Sequence, residues 1–412
     1  FTVGPVNYWV RQILTNGPPQ DTYDDMSAAT GEQFLGLPLN CLSCHNGKGH
    51  LEAVNSSFVS RTRYDFWKNA AFFAQGKVTT ARDPNTNNQQ FTLTDNPNGA
   101  YNLNTNSGNK VARAPLPGQP SVVDPAFFLS GETPNQGEPR RQAYARIVTS
   151  SPQFARASVN YVWKAIFGIG IVEPADSFDL LRQDAATLPP GAVLQPTHPD
   201  LLNKLSAYFV SNGYDFRALV KLIVQSNAYQ LSSRYTPGAW NELWTTYYAR
   251  HYPHRLLSES MLDAVARATN IPVSINVNGL SALNRAMALP DPTEPSQRTQ
   301  FGFFLNAFGR GDRDTTPRTS DGAIVQALEM LNDAVVTSRV KSNNANTTVA
   351  KLLAATKDAG TIADELYIAT LSRRPSAAER ASAIAYLSAG DLTRTAEDLQ
   401  FALMNRLEFL FN

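Results

Sequence analysis

Cysteine is nearly absent: the 412-residue chain has two, Cys41 and Cys44, three positions apart. A disulfide framework tying distant loops together is therefore excluded, and the chain must stand on a hydrophobic core. Charge is sparse as well, with Asp, Glu, Lys and Arg making up 17% of the residues. Asn, Gln, Ser and Thr supply much of the remaining polarity, a surface composition met more often outside the cytoplasm than inside it. Neither sign of charge dominates, since 36 basic and 35 acidic residues leave a net charge of +1. The basic field that nucleic-acid binding requires is missing. No run approaches the roughly 18 uninterrupted apolar residues of a membrane-spanning helix, so no transmembrane segment is expected. There is no Gly-x-Ser-x-Gly, no Walker loop and no dinucleotide fingerprint. The first residue is Phe rather than Met, and the chain is expected to be a processed or trimmed product.

What is present is ample apolar material, 42% hydrophobic and 10% aromatic, in a length that predicts two or three domains. Apolar residues recur at helical spacing through most of the chain. Val6, Trp9, Val10, Ile13 and Leu14 share one face before Asn16-Gly17-Pro18-Pro19 ends the pattern. A second helix is predicted over 24–35 and an aromatic-rich one over 61–74. From 76 to 137 the sequence turns to Asn, Pro, Gly and Thr with short alternating pieces, predicting a loop-rich insert with a few short strands. Beyond 140, helices are predicted over 152–167, 198–211, 215–228, 258–269, 321–332, 361–371, 376–389 and 396–411. Asp215 is placed as an N-cap, and Ser376 with Glu379 forms a capping-box pattern. The expected fold is mainly α: a small helical N-terminal part (1–75), the insert (76–137) and a large helical domain (138–412).

The chemistry concentrates in Cys41-Leu42-Ser43-Cys44-His45, a C-x-x-C-H motif. Two thiols at this spacing add across the two vinyl groups of a haem, and the adjacent histidine becomes the proximal iron ligand. One covalent haem c, held by Cys41, Cys44 and His45, is the leading expectation. A thioredoxin-like dithiol would want a βαβ setting, which is missing here. A structural zinc would want four protein ligands, and no further cysteine completes the usual sets. Candidates for the sixth iron ligand are His50, His198, His251, His254 and the five methionines. His251, in the aromatic run Thr246-Tyr-Tyr-Ala-Arg-His251-Tyr, leads. His50 is the alternative, five residues past His45 and reachable only if the Gly47-Lys48-Gly49 loop wraps the haem edge. Trp67 and Phe72 are expected to wall the haem and help set its potential.

The run from Gln33 to Asn46 (QFLGLPLNCLSCHN), with Phe66-Trp67 and Ala70-Ala-Phe-Phe-Ala74, resembles the planctomycete-type cytochrome family, exported bacterial proteins with paired domains of unknown function. The stretches 140–147, 154–163, 167–174, 198–202, 222–232, 327–332 and 365–375 resemble its second domain, so the likeness runs along nearly the whole chain. The resemblance implies a haem-type motif in the first domain and a periplasmic, extracellular or cell-surface location. Where many relatives continue His-Asn-His-Pro, this chain has Gly47, with its next histidine at His50.

Two charged groups have plainer readings. Arg310-Gly-Asp-Arg-Asp-Thr-Thr-Pro-Arg318 could hold haem propionates, but a loop that pairs with itself and pins flanking helices is preferred. Glu173, Asp176, Asp179 and Asp184 could serve acid–base chemistry or calcium, but capping is preferred. The functional expectation is one-electron transfer by an exported monohaem c-type cytochrome with a redox partner protein, the large helical part docking that partner or assembling into a complex. The rivals are a haem enzyme with an open axial site, and a structural subunit of a surface assembly or electron conduit. Exogenous-ligand binding separates the first rival, concentration-dependent assembly the second.

Overall fold

The computed structural model describes residues 4–411 except 14–16, 86, 88, 107–109, 116, 237, 278–279, 312–315 and 317. The chain is mainly helical, with two two-stranded antiparallel sheets among these residues. It divides into two compact units, Val3–Tyr252 and Pro253–Asn412. The expected helical segment 138–412 is thus shared between them: its first part packs with the N-terminal residues and the rest stands as a unit of its own.

The first unit contains α1 (Gly4–Arg11), α2 (Pro19–Leu35), α3 (Arg63–Ala70), α4 (Arg140–Ser150), α5 (Pro152–Phe167), α6 (Pro199–Ser211) and α7 (Phe216–Val224). The loop-rich insert carries a hairpin of β1 (Gly76–Arg82) and β2 (Gln89–Asp95), and a short pair, β3 (Tyr101–Asn102) with β4 (Val122–Val123). Helix α2 begins five residues before the predicted start. Pro19 reads as a breaker, yet proline suits the first turn of a helix, where its missing N–H has no partner to lose. The early turns of α2 also bury Asp21 and Asp24, so apolar periodicity could not reveal them. The helix ends at Gly36, whose φ of 64° is left-handed, with the Leu37 amide turning back to the Gly31 carbonyl. Helix α7 ends four residues before the predicted end, and Asp215 caps it by accepting from the Arg217 and Ala218 amides.

Asp21 and Asp24 are fully buried with Arg113, which donates to Asp21 Oδ1 at 2.7 Å and to Asp24 Oδ2 at 2.6 Å. The Tyr101 hydroxyl donates to Asp24 Oδ1 at 2.7 Å and accepts from Arg113 Nε at 3.0 Å. Each charge has an opposite partner and additional hydrogen bonds, the condition under which buried ions are tolerated. The cluster fastens the insert, through Tyr101 and Arg113, onto α2.

The second unit comprises α8 (Ser258–Thr269), α9 (Gln300–Ala307), α10 (Ile324–Asn332), α11 (Ala334–Thr337), α12 (Thr348–Ala355), α13 (Ala359–Leu371), α14 (Ala377–Ser388), α15 (Leu392–Met404) and α16 (Leu407–Leu410). The sequence reading placed no helix at α9 or α12, and both are short, eight residues each. The capping box at Ser376 and Glu379 is present. In the Arg310–Arg318 stretch, Arg310 is buried and donates to the carbonyls of Glu294 and Pro295, while Arg318 grips both oxygens of Glu259 on α8. Arg310 and Arg318 therefore pin neighbouring segments, while the expected pairing of the loop with itself falls on 312–315 and 317, which lie outside the described residues.

Two predictions follow from these ion clusters. All five tryptophans lie before residue 245, so their fluorescence reports the first unit alone. Arg113→Met, which strands two buried carboxylates, is expected to lower that unit's stability by about 3–5 kcal/mol in urea unfolding; an unchanged midpoint would deny the cluster that role. In the second unit, Glu379 accepts from Arg373, Arg406 and the Ser376 amide. The hydrogen bonds from Arg373, foremost, hold its carboxyl well below the usual carboxylate range. This contribution is complete above the unfolded carboxylate pKa and disappears as pH falls toward the depressed folded value. Thermal melts of the wild type and Glu379→Gln should therefore differ at about pH 6 and converge as pH falls to about 2.

Candidate functional site

Gly31 on α2 has no side chain, and a Cβ there would come within 2.5 Å of Leu39. Through that gap a short 3-10 turn, Leu39–Ser43, packs onto the helix. Leu39 and Leu42 are fully buried, so the turn is anchored by its apolar side chains while the residues of the motif emerge from it. Cys41 and Cys44 are half-buried free thiols and His45 is exposed. The His45 amide donates to the Cys41 carbonyl at 3.2 Å, which closes the motif on itself.

The loop beyond His45 is stitched to the approach to α3. The Gly47 amide donates to the Arg61 carbonyl at 2.8 Å, and a Cβ on Gly47 would lie 1.6 Å from the Phe58 carbonyl oxygen. Only glycine fits this closeness. Arg63 then holds the Cys44–His45 pair from both sides. Its Nε donates to the Ser43 carbonyl at 3.2 Å, and its backbone N–H donates to Asn46 Oδ1 at 2.9 Å. The guanidinium lies 4.8 Å over the Trp67 ring, donates to the Val111 and Ala112 carbonyls, and is close enough to Cys44 to interact with it electrostatically. The sequence reading named Gly47 only as part of the loop between His45 and His50, and gave Arg63 and Asn46 no role. The signal available was the capping box that starts α3, Thr62 with Asp65, which puts the Arg63 amide at an exposed helix start.

The expected ligands separate. His50 lies beside His45, ring centroids 5.4 Å apart, both exposed; the His50 and Leu51 amides both donate to the Gly47 carbonyl and turn the loop. His251 stands edge-on to Tyr229 at 5.8 Å, and its amide donates to Ser232. His198 sits by Tyr248 with its Nδ1 3.0 Å from Thr197 Oγ1. Met26 is a buried residue of α2, while His254, Met261, Met287, Met330 and Met404 belong to the second unit. Trp67 is buried beneath Arg63, and its Nε1 finds no partner among the described residues. Phe72 is fully buried against Tyr144, ring centroids 5.2 Å apart. Of the carboxylates near 173–184, Glu173 pairs with Lys164, and Asp179 reaches across the chain to accept from Ser56 and Ser57.

Covalent haem attachment asks for two reachable free thiols and an imidazole beside the second, and Cys41, Cys44 and His45 supply that donor set. A bare metal ion asks for more. Among the described residues no three His, Cys, Asp or Glu side chains come together as a metal-holding group, so the four ligands of a structural zinc are not assembled there. Among the same residues no helix is long and apolar enough to cross a membrane.

The model of the PSD1 family, a protein of unknown function (DUF1553), matches residues 140–387. The chain belongs to that family. The matched region begins at α4 in the first unit and ends in α14 of the second, and the cysteine motif lies before it. No curated protein and no solved structure matches the chain.

Gly47→Ala is expected to push the 43–51 loop off Phe58, at a cost of about 1–3 kcal/mol from overpacking. Hydrogen exchange would show the Gly47 and Leu51 amides losing protection while α5 keeps its own. Unaltered protection in the loop would contradict the close approach.

Proposed function

We propose that the chain is an exported, monohaem c-type cytochrome-like protein that transfers single electrons to or from a partner protein, in the periplasm or at the surface of a bacterium. The observation that carries the reading is the turn on α2, which offers two free, reachable thiols with His45 exposed beside them. The resemblance to planctomycete-type cytochromes supports it from the sequence. When bound, a c-type haem supplies an iron that cycles between Fe(III) and Fe(II). Cys41 and Cys44 would hold the macrocycle, and His45 would bind its iron. Arg63 and Asn46 fix the turn, while Arg63 adds a fixed positive charge beside Cys44; such a charge favours the reduced, less positive state of a neighbouring centre. Trp67 backs that guanidinium with its ring face. His50 would be better placed than His251 to help hold the group, because it shares the short loop with His45 and its ring is adjacent.

Absorption spectra of protein made in a host able to attach haem, with and without carbon monoxide, test this assignment. The wild type is expected to be low-spin and indifferent to carbon monoxide. His50→Ala should turn high-spin and bind it, and His251→Ala should behave as the wild type. A carbon monoxide-sensitive wild type would instead favour a haem enzyme with an open axial position. Absence of any haem band would remove the proposal.

A further inference from the structure

A cavity of about 460 Å³ opens in the first unit where the end of α4 meets the start of α5. Its volume falls within the roughly 300–1,000 Å³ of small-molecule sites. Phe127, Leu129, Ile147 and Leu180 give it apolar walls, and two half-buried arginines, Arg61 and Arg156, share the lining.

Among the described residues neither arginine is paired with a carboxylate. The Arg61 guanidinium lies 4.8 Å over the Phe128 ring, which fixes its place. It donates no hydrogen bond there, and its nitrogens stay open to solvent, unlike the buried unpartnered nitrogens of Trp67 and Trp163. Arg156 donates from Nη2 to Gln183 Oε1 at 2.9 Å and from Nη1 to Asn203 Oδ1. Both acceptors are neutral amide oxygens, so they occupy its donors without answering its charge. Burial, foremost, pushes its ionisation below the ordinary value, and Asp184 offsets only part of that. The one acid on the lining, Glu132, is already taken by Arg146 at 2.5 Å. Helix α5 also starts on this cavity with Ser151 making no side-chain cap, and the positive end of the helix adds to the same sign.

We propose that this cavity binds an organic carboxylate with an apolar body, the carboxylate accepting from Arg61 and the body packing on Phe127, Leu129, Ile147 and Leu180. One open guanidinium fork matches the two oxygens of one carboxylate, and Arg156 supports the same charge through space. The site does not rest on the haem reading, because the cysteine loop uses the backbone carbonyl of Arg61 and not its side chain.

Isothermal titration of the whole chain with 4-phenylbutyrate and with its neutral amide, 4-phenylbutanamide, tests the proposal without any variant. Phenylbutyrate is expected to bind at least about tenfold more tightly, as the loss of a charge-assisted hydrogen bond implies. Inorganic phosphate has charge but no apolar body, and it should bind more weakly than phenylbutyrate. Arg61→Gln should remove the preference for phenylbutyrate over the amide and leave the amide's own affinity as it was. Ser150→Glu, at an exposed position of the lining, puts a resident negative charge there and should abolish phenylbutyrate binding. A wild type that binds acid and amide equally, or binds neither, would overturn the site. Undiminished phenylbutyrate binding in both variants would overturn its location, and tighter binding of phosphate would overturn the class of ligand.

Discussion

Helix α2 is the element against which the first unit is registered, and a single ion cluster keeps it there. Arg113 reaches from the insert to Asp21 and Asp24 at 2.6–2.7 Å, with all three side chains buried. About two helix turns beyond Asp24, Gly31 offers the gap into which Leu39 packs, and the cysteine turn follows at once. A buried cluster of this kind is costly to disturb, because losing one partner leaves the others charged and dry. The position of the motif turn therefore depends on an interaction that lies outside it.

The two ends of the cysteine loop are held by different means. Before the thiols, burial of Leu39 and Leu42 does the work. After His45, backbone carbonyls and one side chain do it, through Gly47, Arg61, Arg63 and Asn46. Hydrophobic anchoring on one side and directional bonds on the other leave the exposed pair His45 and His50 on a stiff platform. Positioning at that level is what a bound redox group needs, since the orientation of its protein ligands is part of what sets its potential.

Much of this was legible in the sequence, because apolar periodicity announces amphipathic helices. The spans of α5 and α8 agree with the prediction residue for residue, and Asp215 and Ser376 cap as their chemistry requires. What escaped has a common cause. The first turns of α2 bury aspartates instead of leucines, and α9 and α12 are too short for a period to build up. The Cys41, Cys44 and His45 constellation was visible because its members are neighbours in the chain. Arg63 and the Arg113 cluster were not, because partners 89 and 92 residues apart leave no local pattern. The His45–His50 proximity turns on the Gly47 approach to Phe58, a contact that only the folded chain reveals. The PSD1 family, its function unknown, begins its match after the motif, so membership in it neither supplies nor replaces the chemistry argued from Cys41, Cys44 and His45.

The most direct measurement of the central claim is the intact mass of the chain exported from a bacterium with active haem-attachment machinery, followed by peptide mapping. The account predicts an added mass of one haem on the peptide that carries Cys41 and Cys44, lost when both are replaced by serine. An unmodified mass with both thiols open to alkylation, from cells that load a control c-type cytochrome, would contradict it.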